Sequence, residues 1–186
     1  MNAAKEFQLN ETKKTLFIFG GSQGSATLNR CATQLAESLP QQDRQILWQT
    51  GIAHYYRYKH LESSQIKILP YVENMPAAYA LSDLVLSRAG ALTLSEITVC
   101  GKPSVLIPLP FAAGDHQTKN AQSLVEAGAA MMIPEKKLSA ELITDTILKL
   151  LQDDDRLVEM ARAASQLGKP QATEAIVDLI LELAES

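Results

Sequence analysis

Six short apolar runs recur along this chain with helical patterns between them: Thr15–Phe19, Gln45–Gln49, Ile66–Leu69, Leu84–Ser87, Ser104–Ile107 and Ala130–Ile133. Most are continuous rather than alternating, which is the pattern of strands covered on both faces. Between them apolar residues fall three or four apart, as in Leu28, Cys31, Ala32, Leu35 and Leu39, the spacing of one helix face. Strand and helix alternating in this way build a parallel sheet with crossover helices on both sides. The chain is therefore expected to be α/β, a Rossmann-like doubly wound parallel sheet of about six strands. Helical patterns over Ala140–Leu151, Arg156–Leu167 and Thr173–Ala184 close it, with Asp153–Asp155 capping the middle one. At 186 residues the whole of 1–186 reads as one domain, with no repeat, linker or low-complexity segment.

Composition narrows the function. Hydrophobic residues are 46% and charged residues 20%, enough apolar surface to build a core. Seventeen Lys and Arg stand against 21 Asp and Glu, a net −4 without a basic run, which argues against nucleic acid and against an anionic membrane surface. The longest apolar stretch, Val105 to Ala113, is interrupted by Pro108 and Pro110 and falls short of the ~18 residues of a membrane span. Met1 to Lys14 is polar and carries acids, unlike a signal or transit peptide. Cys31 and Cys100 lack metal-ligand spacing and sit in apolar helical patterns, so two buried thiols in a reducing compartment are expected. A small-molecule partner is the remaining expectation.

The glycines cluster where strands end. Gly20, Gly21 and Gly24 follow the first run, Gly51 the second, Gly90 the fourth and Gly114 the fifth. Doubly wound sheets bind ligands beyond the carboxyl ends of their strands, above all where the strand order reverses. For an order 3-2-1-4-5-6 the reversal lies between strands one and four, which points to the loops Gly20–Gly24 and Arg88–Thr93. The first reads Phe19-Gly20-Gly21-Ser22-Gln23-Gly24-Ser25 and leads straight into a helix. Its glycines let backbone N–H groups approach a ligand, the helix dipole favours a phosphate, and the Ser22 hydroxyl adds a donor. A tight turn with no ligand is the plainer account of the same residues. The loop lacks GxGxxG spacing, against a nicotinamide or flavin dinucleotide, and lacks the Lys-Ser/Thr ending of a P-loop.

The second loop, Ser87-Arg88-Ala89-Gly90-Ala91-Leu92-Thr93-Leu94-Ser95-Glu96, starts another helix after another buried strand. Glu96 falls about a turn and a half in, within reach of the two hydroxyls of a ribose whose phosphate lies at the helix start. A carboxylate placed there for the helix dipole alone explains it equally well. Two such loops flanking one switch point favour a nucleotide.

Taken in order and spacing, Gly20-Gly21-Ser22-Gln23-Gly24 with Leu28-Asn29, Gly90 to Glu96, and Asp115-His116-Gln117-Thr118-Lys119-Asn120-Ala121 resemble the C-terminal half of the MurG family. The similarity runs from about Lys13 to the last helix. Members of that family are GT-B glycosyltransferases that move GlcNAc from UDP-GlcNAc onto lipid I to form lipid II for peptidoglycan. The resemblance implies that this half binds the donor, with Gly21, Ser22, Gln23 and Gly24 at the phosphates and Ser22 in contact with one. It places Val72 and Met75 beside the uracil, and Ala91, Leu92, Thr93, Leu94 and Ser95 around the diphosphate. Glu96 would meet the ribose, and Gln117, with His116, the sugar hydroxyls. No cofactor, no metal and no catalytic residue is expected in this chain.

The family's N-terminal domain, with its own glycine-rich loop, the proposed base, the acceptor site and the membrane-facing patch, has no counterpart in these 186 residues. The implied partners are UDP-GlcNAc, an N-terminal acceptor domain in the same gene or a separate chain, and lipid I through that domain. The implied location is cytoplasmic, peripheral at the cytoplasmic face of the inner membrane within the whole enzyme. Met1 falls near the family's hinge, which suits either an excised domain or one chain of a split transferase that acts only with a partner. A UDP-sugar epimerase of the same fold is the other alternative, though Gly20–Gly24 fits it less well.

Other polar residues read as structure. His116 lacks a nucleophile or carboxylate partner for base catalysis. His54 and His60 flank Tyr55, Tyr56 and Tyr58 on a short surface helix. Asp153-Asp154-Asp155 matches a metal-binding DxD but lies between late helices, where capping is the better account. Arg88 can either pair with phosphate or brace its loop, and sequence does not separate the two.

Overall fold

The computed structural model describes residues 3–110 and 113–185. Six strands form a wholly parallel sheet: β1 (Thr15–Phe19), β2 (Gln45–Gln49), β3 (Ile66–Leu69), β4 (Leu84–Ser87), β5 (Ser104–Leu106) and β6 (Ala130–Met132). Their order is β3-β2-β1-β4-β5-β6, so the reversal does lie between β1 and β4. The first four strands have the expected bounds. The last two stop one residue early, before Ile107 and Ile133, which still donate to Ser87 O and Leu106 O at 2.9 Å. Pro108 and Pro134 come next and have no N–H, so the ladder ends there.

The period-2 geometry of the strands divides the core into two layers. Leu16 and Ile18 face one side, where α2 (Ala26–Ser38), the single-turn α3 (Tyr55–Tyr58) and α7 (Ala140–Gln152) cover them. Phe17 and Phe19 face the other, under α1 (Ala3–Phe7), α4 (Met75–Leu81), α5 (Ala91–Val99) and α6 (His116–Glu126). β1, β2, β4 and β5 are buried throughout, whereas the edge strand β3 alternates between buried and half-buried residues. Helix α8 (Asp154–Leu167) contributes Leu157 and Met160 to the first layer and Ala164 to the second.

Local chemistry sets the helix starts. Ser25, Ser139 and Asp153 accept from the N–H groups of Leu28, Leu142 and Arg156, at 3.4, 3.1 and 2.9 Å. The aspartate triplet therefore caps α8, and its second member pairs with Lys14. One expectation needs correction. Cys31 is buried in α2, but Cys100 is exposed, because it caps the C-terminal end of α5 instead of lying on its inner face. The final helix, α9 (Ala172–Glu185), leaves Ile176, Leu179, Ile180 and Leu183 each more than half exposed. Among the described residues no helix is long and apolar enough to cross a membrane.

Candidate functional site

A cleft of about 440 Å³ opens at the switch point, walled by Gly20, Gly21 and Gly24 after β1 and by Arg88, Gly90 and Thr93 after β4. Gly21 to Gly24 is a turn closed by a 3.0 Å bond from Gly24 N–H to Gly21 O, with Ser22 and Gln23 exposed at its tip. Both glycines have positive φ, +81° and +76°. They differ in surroundings. A side chain on Gly21 would meet nothing within 4 Å, whereas one on Gly24 would lie 2.1 Å from Thr50 O. A side chain on Gly51 (φ +85°) would likewise lie 2.3 Å from Gln23 O. The loops after β1 and β2 thus touch backbone to backbone, which only glycine permits.

The two helix N-termini are not equivalent. The α2 end is capped by Ser25, but α5 starts at Gly90 with no side-chain cap, so its first-turn N–H groups are open to an anion. Ala91, Leu92 and Ser95 are exposed along that turn and Thr93 borders the cleft. Leu94 points into the core and its N–H donates to Gly90 O at 3.0 Å, so neither its side chain nor its N–H is open to a ligand. The same holds for Val72, whose N–H is already bonded to Gln49 Oε1 at 2.8 Å.

Arg88 is resolved by its partners. Its Nε and Nη2 donate to Ser25 Oγ at 3.2 and 3.0 Å, and Nη1 donates to Ile107 O and Pro108 O, both at 3.1 Å. Nη1 also pairs with Glu135 at 2.6 Å, and Thr27 Oγ1 donates to the other carboxylate oxygen at 2.8 Å. The guanidinium therefore joins the ends of β4 and β5, the cap of α2 and the loop after β6. Burial alone would raise the Glu135 carboxyl, but the Arg88 bond, the Thr27 hydroxyl and the charges of Arg88 and Arg30 hold it below the usual carboxylate range.

Side-chain amides sew the remaining loops together. Gln49, from the end of β2, donates to Gly21 O at 3.0 Å while it accepts from Val72. Asn29 accepts from the Trp48 indole at 2.9 Å and donates to Thr50 O at 3.0 Å. Gln117, in the first turn of α6, accepts from Ala89 N–H and Leu109 N–H at 3.2 and 3.0 Å. Its carbonyl is thus structural, and the residue lines the cleft. His116 is exposed beside it and does not line the cleft. Sequence reading did not single out Gln49, because its partners are backbone atoms of loops 23 and 28 residues away and carry no residue-type signal.

Glu96 lies apart from the cleft, on a hollow of about 300 Å³ shared with Met75, Pro76, Tyr79 and Ser95 and closed by Lys169, Pro170 and Thr173 from the α8–α9 link. Its Oε2 accepts from the Tyr79 hydroxyl at 2.9 Å. Burial, with the neighbouring Glu96 charge, pushes the Tyr79 phenol far above its usual range. Among the described residues no group of three or more His, Cys, Asp or Glu is arranged to hold a metal ion.

A parallel 3-2-1-4-5-6 sheet with two helix starts behind glycine-bearing loops at its reversal defines a Rossmann-like α/β domain. Its fold is that of the C-terminal half of a GT-B glycosyltransferase, and residues 15–176 match the glycosyltransferase family 28 C-terminal domain. The chain belongs to that family. It is 44% identical to a UDP-N-acetylglucosamine--N-acetylmuramyl-(pentapeptide) pyrophosphoryl-undecaprenol N-acetylglucosamine transferase of Chlorobium phaeobacteroides, over 99% of this chain and 51% of the relative. A transferase of the same name from Bacillus cytotoxicus is 37% identical over 98% of this chain and 52% of the relative. The crystal structure of Acinetobacter baumannii MurG superposes with a TM-score of 0.83 at 33% identity, covering 98% of this chain and 53% of that one. The Neisseria meningitidis UDP-GlcNAc 2-epimerase shares the fold, with a TM-score of 0.66 at 17% identity over 97% of this chain and 47% of that one. The chain spans about half the length of the relatives it matches.

Proposed function

We propose that this chain is the UDP-GlcNAc-binding half of an inverting transferase that converts lipid I to lipid II. The observation that carries the reading is the uncapped start of α5 facing the Gly20–Gly24 turn across one cleft, with Glu96 further along the same helix. The diphosphate sits between the two helix starts, held by Gly21, Ser22, Gln23 and Gly24 on one side and Ala91 to Ser95 on the other. The donors on that side are the open first-turn N–H groups of α5, since the Leu94 N–H is already bonded to Gly90 O. The uracil lies between the Val72 backbone and Met75, the ribose on Glu96, and the sugar hydroxyls on the Gln117 amide with His116 at the rim. The names of the relatives support the sugar and the acceptor.

In the reaction an acceptor hydroxyl displaces UDP at the anomeric carbon, and negative charge grows on the departing diphosphate. The open donors and dipole at α5 are aimed at that charge and lower the barrier by stabilising it. The base that takes the acceptor proton comes from the other half, as does contact with the lipid and the membrane. The face meant for that half carries exposed apolar side chains that follow β2 to β5: Ile52, Tyr71, Leu92 in the first turn of α5, and Leu109.

Calorimetric titration of the chain with UDP-GlcNAc, UDP-GalNAc and UDP tests the reading. Half a cleft should bind UDP-GlcNAc with Kd on the order of 0.1–1 mM, tighter than UDP-GalNAc. Acceptor-dependent UDP release by this chain alone, or no nucleotide binding at millimolar ligand, would overturn it.

A further inference from the structure

Tyr79 lies on α4, and its hydroxyl touches the residue assigned to the ribose. The side chain is 2% exposed. Its ring stands edge-on to Phe17 at 5.8 Å and 79° and to Phe19 at 6.2 Å and 78°, while those two rings stack on each other at 4.6 Å. Packed from α4 against two stacked rings of the central strand β1, the buried phenol ring is held in place. The hydroxyl is thereby fixed in space, 2.9 Å from Glu96 Oε2. It also stays protonated at any working pH, so the bond it donates persists.

Glu96 is half-buried on the wall of its hollow, and its carboxylate accepts from the Tyr79 hydroxyl. A glutamate has three side-chain torsions, and an unanchored one spreads over several rotamers. Tyr79 also sits one turn beyond Met75 on α4, so its bond to α5 joins the uracil wall of the hollow to the ribose wall.

We infer that Tyr79 is a positioning residue that holds Oε2 of Glu96 and leaves Oε1 to the ribose, and so sets the discrimination between ribonucleotide and deoxyribonucleotide. The inference rests on the reading of Glu96 as the ribose acceptor. It assigns Tyr79 no contact with substrate; it acts through the carboxylate.

The test uses Tyr79→Phe, which keeps the ring stack and removes only the hydroxyl, beside Glu96→Ala and the double variant. Kd is measured for UDP and 2′-deoxy-UDP in each, with thermal melts as the folding check. The native chain should prefer UDP by about tenfold, the worth of a charged hydrogen bond at an open site. In Tyr79→Phe that ratio should fall to about threefold while the deoxy nucleotide keeps its affinity, a pattern that loss of packing would not produce. Adding Tyr79→Phe to Glu96→Ala should change the ratio no further. A ratio unchanged in Glu96→Ala would refute the ribose reading itself. A ratio lost in Glu96→Ala but intact in Tyr79→Phe, or both nucleotides weakened equally by Tyr79→Phe, would overturn the positioning role and leave that reading standing.

Discussion

Replacing Arg88 separates a brace from a phosphate ligand. In the structure all three of its nitrogens are engaged with protein atoms, and its side chain is only 11% exposed. Arg88→Ala leaves Glu135 without its cation and two carbonyls without a donor. Breaking a buried ion pair from one side costs about 3–5 kcal/mol. Glu135, however, is a quarter exposed, so water restores part of that loss and about 3 kcal/mol is the better figure. For a chain of this size that is a fall in Tm of roughly 6–12 °C. Arg88→Lys keeps the charge near Glu135 but loses the planar fork that reaches Ser25 and the Ile107 and Pro108 carbonyls together, so about 1–2 kcal/mol is expected. Urea unfolding without ligand reads both values directly, and UDP titration of the same samples reads binding. A phosphate ligand predicts the reverse pattern: stability within about 0.5 kcal/mol of native, UDP affinity down tenfold or more in Arg88→Ala, and partial rescue by the lysine point charge. That result would refute the brace.

Three further outcomes follow from the same geometry. Because the folded Glu135 carboxyl is held below its usual range, its contribution is fully present above the unfolded value and fades as pH drops through the folded one. Urea midpoints taken from pH 6 to 3 should therefore fall more steeply in the native chain than in Glu135→Gln, and parallel curves would show the clamp to be electrostatically idle. Burial pushes the Cys31 thiol up to about 11, so Ellman's reagent should modify exposed Cys100 promptly and Cys31 only on unfolding; two equally fast thiols would contradict the core assignment. Gly21→Ala should cost about 1–2 kcal/mol from backbone strain alone, whereas Gly24→Ala, which must also displace Thr50, should cost at least about 3 kcal/mol. Equal melting temperatures for the two would count against the close contact.

What sequence could carry here is periodicity and loop chemistry. Continuous apolar runs located β1 to β4 to the residue because buried parallel strands and polar turns differ sharply in composition. The switch-point cleft followed from glycine placement, and the aspartate triplet was identifiable as a cap because Asp153 sits three residues before the N–H it accepts. Cys100 falls on the apolar pattern of α5, but the helix stops at Val99, just ahead of Gly101 and Pro103, and periodicity says nothing about which way a capping residue faces. The roles of Arg88, Gln117, Gln49 and Tyr79 were out of reach for a different reason. Each is defined by partners brought together only by the fold: carbonyls and amides at strand ends, or a carboxylate 17 residues on in another helix.

The backbone contact between Gly24 and Gly51 also bears on how this domain can be recombined. Where two loops meet through side chains, one can be exchanged and the other repacks around it. Here the meeting atoms are main-chain atoms of both loops, with no rotamer to absorb a mismatch. A chimera that imports a relative's Gly20–Ser25 turn to alter donor preference must carry Thr50 and Gly51 from the same parent. The two segments, on opposite sides of α2 and β2 in the chain, are inherited as one piece.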